Sequence, residues 1–347
     1  MYTVLLTDGE FTGMIRALRL GFKDDGVRVV GLSENPDIAQ QTMLDAFYPV
    51  CSHDDPSYFP TLYDILVREN VDYIFPIVSE GLESIAEREH EILTKTGARL
   101  LSSPTEALLI ANDKGNLYSF LLRSPELSPL CPEFHEANNN AELFSGIDRI
   151  EASGKSACIK RRRGEDAGGF WRIDDTRNYR ERLFYAPAER VLSRKMLTLL
   201  LDDGSEDTLP PYLVSEFLPG EEWDCDVLAY EGETLCVTTR INLQMRGGLT
   251  SVLEVRENPE LVSYCEAIVK ELRLSYASCI SFRADNSGQF RILEINPRMM
   301  GNVLISALCG NNYPRMCIDL ANGKPVHPIA QKNGLRSALY YDQAVIP

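Results

Sequence analysis

Three residues in the stretch ILEINPRMMGN (292–302) have types and spacing suited to chemistry. Glu294, Asn296 and Arg298 alternate with Ile295 and Pro297, and on an extended backbone such positions share one face. That face would carry a carboxylate, an amide oxygen and a guanidinium. The two hard oxygens suit Mg²⁺ bridged to substrate phosphates better than a closed protein cage. A solvated polar face does not explain why so apolar a run places these three groups together and stops at Pro297.

Other stretches supply complementary groups. Lys160 ends the apolar run SACIK and leads into Arg161, Arg162, Arg163 and Gly164, then Gly168 and Gly169. Glycines let backbone amides approach phosphate oxygens, and a lysine offers them a point charge. A surface hairpin would look the same. In LVSEFLPGEEWDCDV (213–227), two extended runs flank a Pro-Gly turn with adjacent carboxylates. The backbone of such a hinge can pair with an adenine edge, and a carboxylate can accept from ribose hydroxyls. Asp113-Lys114 stands where the pattern of the first part of the chain changes. Ser79-Glu80-Gly81 ends an apolar strand, where open α/β sheets bind ligands. Glu80 is therefore a candidate for holding an amine, although helix capping explains it equally well.

The elements that must position these groups can be read from periodicity. The first ~110 residues alternate strand and helix, as parallel sheets require. Strands are predicted at 3–7, 27–33, 71–80 and 98–103, and helices at 14–22, 56–70 and 81–97. This is a Rossmann-like unit, but TDGEFTG follows its first strand instead of GxGxxG, which disfavours NAD. Residues 104–150 read as helical with a proline-rich turn, and 175–195 as a charged helical stretch. The segment 201–210 is polar and loop-like. Hairpins are predicted at 223–244, turning at Glu231-Gly232, and at 278–296 around Asn286-Ser287-Gly288, with a helix over 257–274 between them.

Composition narrows the function. The chain has 347 residues, 44% hydrophobic, with net charge −16 and pI about 4.8. That is enough for two or three domains with real cores. No long basic run offsets this charge, which argues against a nucleic-acid partner. No apolar run approaches the ~18 residues of a membrane span, and the N-terminal stretch lacks the pattern of a signal peptide. Nine cysteines without a CxxC pair, and four scattered histidines, point to reduced core thiols and against zinc. A cytoplasmic location is expected.

Taken together and in this order, these residues resemble the ATP-grasp superfamily, in particular single-unit relatives of the carbamoyl-phosphate synthase large subunit and the ATP-dependent carboxylate–amine ligases. The most specific part is LEINPRMMGN combined with SEFLPGEEWDCDV. The resemblance implies a mixed α/β and α+β fold. An N-terminal Rossmann-like preATP-grasp domain (1–103) is followed by the first half of the ATP-grasp unit (104–215), whose lid spans about 151–211. A C-terminal antiparallel-sheet subdomain (212–330) and a tail (331–347) complete it.

The same resemblance assigns roles. Lys114 and Lys160 would be the nucleotide lysines, with Gly168 and Gly169 in the loop over the phosphates. Glu216, Phe217 and Leu218 would be the adenine-reading hinge, and Glu222 the ribose acceptor. Glu294 and Asn296 would hold the metal, and Arg298 would lie beside the transferred phosphate. Arg240 and Arg246, with Gln244, Met245, Gly247 and Gly248, would face the acyl phosphate and the substrate. Arginine suits both by its bidentate fork, although ion pairs on an acidic surface are an ordinary alternative. Relatives usually carry another acidic or amide ligand on the preceding strand, near Ser281 here, and a serine is a weak metal ligand. Asp285, four residues on, could substitute for it, or it could simply form a turn.

The implied cofactors are ATP and Mg²⁺, or Mn²⁺ in its place. The expected reaction activates a carboxylate as an acyl phosphate and joins it to an amine, so the expected partners are small molecules. Dimers are common among relatives, and nothing in the sequence decides that point. A single unit disfavours a complete carbamoyl-phosphate synthase. A carboxylase using bicarbonate, and a nucleotide-binding protein without catalysis, are the rival readings.

Overall fold

The computed structural model describes residues 1–164, 168–176, 190–202, 211–246, 248–340 and 342–346. The predicted helical stretch 175–195 and the loop 201–210 fall largely outside them. Three sheets organise the chain.

The first sheet is parallel. Its strands are β1 (Tyr2–Leu6), β2 (Val27–Ser33), β3 (Ala46–Pro49), β4 (Tyr73–Phe75) and β5 (Arg99–Leu100), in the order β3-β2-β1-β4-β5. Helices α1 (Thr12–Gly21), α2 (Tyr58–Arg68), α3 (Leu82–Ala86) and α4 (Glu89–Thr96) connect and cover it. The single helix predicted over 81–97 is thus two. It breaks at Glu87-Arg88, where the Arg88 guanidinium stacks 4.0 Å over the Phe59 ring and donates to the Ser84 carbonyl. β3 is only half-buried and lacked a clear apolar period.

α5 (Thr105–Ala111) and α6 (Lys114–Leu121) lead to the second sheet. Its strands are β6 (Phe134–Ala137), β7 (Ala157–Arg161), β8 (Trp171–Ile173), β9 (Val191–Leu192) and β10 (Tyr212–Glu216), ordered β6-β10-β7-β8-β9. α7 (Asn140–Ala152) packs on this sheet, and α8 (Arg194–Leu201) adds Leu197 to the same core.

The third sheet is antiparallel: β11 (Glu222–Tyr230), β12 (Glu233–Arg246), β13 (Leu249–Val255), β14 (Tyr276–Ala284), β15 (Phe290–Asn296) and β16 (Arg336–Ala338), in the order β15-β14-β11-β12-β13-β16. Both predicted hairpins form. Glu231 and Gly232 turn with φ of 50° and 85°, the conformation a tight two-residue hairpin needs. One face of this sheet is apolar. Trp223, Cys225, Val227, Ile280, Phe282 and Ile295 bury against α9 (Pro259–Leu272). The alternation within each strand puts polar side chains on the opposite face.

The C-terminal helices α10 (Val303–Leu308) and α11 (Tyr313–Ala321) return to α1 and share its core. The approach is close. A Cβ on Gly13 would stand 2.0 Å from the carbonyl oxygen of Gly301. The second glycine of TDGEFTG therefore serves helix packing against the end of the 292–302 stretch. All nine cysteines are free thiols, and all but Cys51 are buried. Among the described residues no helix is long and apolar enough to cross a membrane.

Candidate functional site

The polar face of the third sheet is built by register. β15 lays Glu294 and Asn296 side by side, and the Asn296 amide donates to Glu294 Oε1 at 3.1 Å. That bond uses the amide nitrogen and leaves Oδ1 as the acceptor. Lys114 stands across from them, its Nζ 2.9 Å from Glu294 Oε2 and 3.2 Å from the Gly164 carbonyl. Burial works to raise the Glu294 pKa, but Lys114 and the Asn296 bond prevail and hold it below the usual carboxylate range.

Lys114 is placed by the start of α6. Asp113 caps that helix, accepting from the Gly115 and Asn116 amides, and also takes the Arg162 guanidinium at 2.9 Å. The Lys114 amide donates to the Arg162 carbonyl, which ties α6 to the end of β7. Lys160, 8% exposed, lies on β7 with Nζ 2.7 Å from the Tyr118 hydroxyl and 5.0 Å over its ring. Burial lowers its pKa. The Tyr118 hydroxyl donates in turn to the Leu293 carbonyl at 2.8 Å, so this side chain links Lys160 to β15.

The hinge runs from β10 to β11. The Glu216 carboxylate is engaged by the Glu133 amide at 2.9 Å and by Lys155 at 2.9 Å. The Glu216 and Phe217 backbone amides are also engaged, donating to the Glu133 and Ser156 carbonyls at 2.9 and 2.7 Å. The Arg172 and Arg283 guanidiniums stand 4.6 and 5.5 Å from the Phe217 ring centroid, and Leu218 is buried. Glu222 opens β11, 3.2 Å from Asn242 Nδ2 and 3.4 Å from Arg283. Burial, helped by neighbouring Asp224, raises its pKa to about 7. Arg298 is 3% exposed just beyond β15, and its charge favours the ionised form of Glu294.

Several expectations are corrected. Arg240 does not face a substrate space. It is fully buried, with Nη1 2.5 Å from Asp226 Oδ2 and Nη2 3.5 Å from Asp224 Oδ2. Burial opposes its charge, yet the two carboxylates raise its pKa. Asp285 is the turn residue. Its Oδ1 accepts from the Ser287 amide and hydroxyl and the Gln289 amide, and its Oδ2 pairs with Arg291. Burial works against ionisation, but these donors hold its pKa down to about 2. It sits four residues along β14 from Ser281, about 13 Å away at strand rise, too far to ligate beside Glu294.

The structure does not bring Arg246 to the group either. It is exposed at the tip of the β12–β13 hairpin, six residues or about 20 Å past Arg240. Gly247 beside it is outside the described residues. In the loop after β7, residues 165–167 are likewise outside. Gly169 has φ of 74° and packs on the Arg161 side chain, while Gly168 forms a turn with it. Arg162 and Arg163 are tied to carboxylates, Arg163 to Glu83 at 2.8 Å and to Asp113 at 3.4 Å. Glu80 is exposed beyond β4 and lines a cavity of about 340 Å³ with Asp54, Glu83, Glu87 and Arg163. No side chain caps the following helix, α3.

Tyr118, Asp224, Asp226 and Asn242 were missed. Asp224 and Asp226 continue from Glu222 the same alternation that singled out Glu294 and Asn296, so EWDCDV carried the signal. Among the described residues no three His, Cys, Asp or Glu side chains form a metal cage. The hard oxygens of Glu294 and Asn296 fit a cation shared with phosphate oxygens.

The three sheets in this arrangement make the ATP-grasp fold. Residues 208–340 match the family described as ATP-grasp in the biosynthetic pathway with Ter operon. The fold is similar to that of an N5-carboxyaminoimidazole ribonucleotide synthetase (purK) solved as its ADP complex. The TM-score is 0.68 at 15% identity, covering 94% of this chain and 78% of that one. It is also similar to biotin carboxylase from Campylobacter jejuni (TM-score 0.63, 17% identity, 94% and 72% covered). L-amino acid ligase from Bacillus licheniformis is a third (TM-score 0.60, 15% identity, 92% and 74% covered). No curated protein matches the chain by sequence.

Proposed function

We propose that this chain is an ATP- and Mg²⁺-dependent ligase that activates a small-molecule carboxylate as an acyl phosphate and joins it to an amine, releasing ADP and phosphate. One observation carries the reading. Lys114 meets Glu294 at 2.9 Å, and Tyr118 ties buried Lys160 to the same strand. Two lysines and a metal-type carboxylate, far apart in sequence, thus converge at one end of β15.

In this reading Lys114 occupies the Glu294 carboxylate until a triphosphate enters, then turns to the phosphates. Lys160 is held rigid and dry, where its charge acts through a low dielectric. The hinge backbone at 216–218 receives the adenine edge, and Glu222 the ribose. Glu294 and Asn296 would hold Mg²⁺, or Mn²⁺ in its place, which supplies charge neutralisation at the phosphate oxygens. Arg298 adds positive charge beside that point. The acid-rimmed cavity at Glu80 suits a protonated amine before it reacts. The chain's contribution is positioning and charge stabilisation, with no covalent nucleophile of its own.

ADP release, screened against small carboxylic acids and amines singly and in pairs, tests this. Strict dependence on one acid and one amine is the expected result, with Glu294→Gln abolishing it. Turnover on bicarbonate alone would instead establish a carboxylase-type reaction. Undiminished turnover in Glu294→Gln would refute the metal role.

A further inference from the structure

We propose that Ser281 supplies a ligand oxygen to the cation site of the third sheet, and that Asp224 is the positioning residue that aims it. This rests on the nucleotide-and-metal reading above. The register places Glu294 of β15 opposite Ser281 of β14, Ser281 opposite Asp224 of β11, and Asp224 opposite Arg240 of β12. Cross-strand partners project on the same face, so the four side chains form one row.

The row has a defined polarity. The Ser281 hydroxyl donates to Asp224 Oδ1 at 2.7 Å. A hydroxyl has one proton and two lone pairs, and an ionised carboxylate can only accept. The serine's proton is therefore fixed on the Asp224 side, and the hydroxyl can offer only lone pairs to anything else. Asp224 is itself held. Its Oδ2 accepts from Asn242 Nδ2 at 3.1 Å and faces Arg240 Nη2 at 3.5 Å. Ser281 and Asp224 are 5% and 4% exposed, so neither can swing away.

The set offered to a hard divalent cation is then the Glu294 carboxylate, the Asn296 amide oxygen and an oriented hydroxyl. Asp224 acts behind the hydroxyl, as carboxylates behind metal ligands commonly do. Replacing Asp224 by Asn reverses this polarity. The Asn242 amide and Arg240 both donate toward Oδ2, so an asparagine there must turn its own oxygen to them. Its amide nitrogen would then face Ser281, take a lone pair, and push the hydroxyl proton toward the cation.

Binding of Mn²⁺, followed by the loss of the free-ion electron paramagnetic resonance signal, tests the proposal. The protein is titrated with a non-hydrolysable ATP analogue present, and nucleotide affinity is measured separately with EDTA. Asp224→Asn and Ser281→Ala should each weaken Mn²⁺ binding about tenfold or more. The double variant should be no weaker than the poorer single one, and Ser281→Thr, which keeps the hydroxyl, should bind like the unaltered protein. Urea midpoints without metal confirm that each variant is folded. Retained Mn²⁺ affinity in folded Asp224→Asn and Ser281→Ala, with loss in Glu294→Gln, would overturn this inference and leave the ligase reading standing. No Mn²⁺ binding by the unaltered protein would overturn both.

Discussion

Replacing Arg240 by methionine should destabilise the third sheet strongly, and more so as pH rises. The guanidinium is fully buried between Asp226 at 2.5 Å and Asp224 at 3.5 Å. Methionine fills similar volume but leaves two carboxylates, 4% exposed each, without their counter-ion. Removing one partner of a buried ion pair costs about 3–5 kcal/mol. The remaining donors, Ser281 and Asn242 to Asp224 and Ser306 to Asp226, soften that cost without supplying charge. In the variant the carboxylates are expected to have folded-state pKa values above the unfolded value of about 3.9. A raised folded pKa means the folded state keeps its protons longer, so stability is lost as pH rises above the unfolded value. The deficit should thus be small near pH 4 and reach about 3–5 kcal/mol by pH 8. Urea denaturation followed by fluorescence, with Trp223 buried on β11, measures it at each pH. Adding Asp226→Asn should recover part of the loss. A deficit under about 1 kcal/mol at pH 8, or one independent of pH, would refute the counter-ion role.

Two further predictions follow from single contacts. Glu222, with its pKa raised to about 7 by burial, costs stability once pH passes its unfolded value and fully so above 7. Glu222→Gln should therefore be about 2–3 kcal/mol more stable than the unaltered protein at pH 8 and equal to it at pH 4, by urea midpoint. Gly13→Ala would press a methyl against the Gly301 carbonyl, 2.0 Å from the new carbon. It should cost about 1–3 kcal/mol and lower the melting temperature by several degrees, and an unchanged melting curve would show that α1 moves freely.

What could be read in the sequence was local. Alternation in LEIN placed Glu294 and Asn296 on one face because strand periodicity is a property of the backbone. The same rule, applied to EWDCDV, would have found Asp224 and Asp226. Strand–helix alternation revealed the parallel sheet, and Glu231-Gly232 marked a hairpin of the antiparallel sheet because few residues tolerate positive φ at a turn. Short or weakly apolar strands, such as β3, β6, β13 and β16, carry too little local signal to be seen. The break between α3 and α4 depended on Arg88 finding Phe59.

The roles of the arginines were decided by tertiary structure alone. An arginine's preference for carboxylate or phosphate is the same in either setting, and only register shows which it meets. Arg240 met two buried aspartates, and Arg163 met Glu83, 80 residues away. Ser281 looked like a gap in a metal site when its strand was read alone. Pairing of β14 with β11 set Asp224 behind it, across 57 residues of chain. Hydrogen-bond partners on neighbouring strands are fixed by which strands pair and in what register, and that is determined by how the whole sheet buries its apolar face.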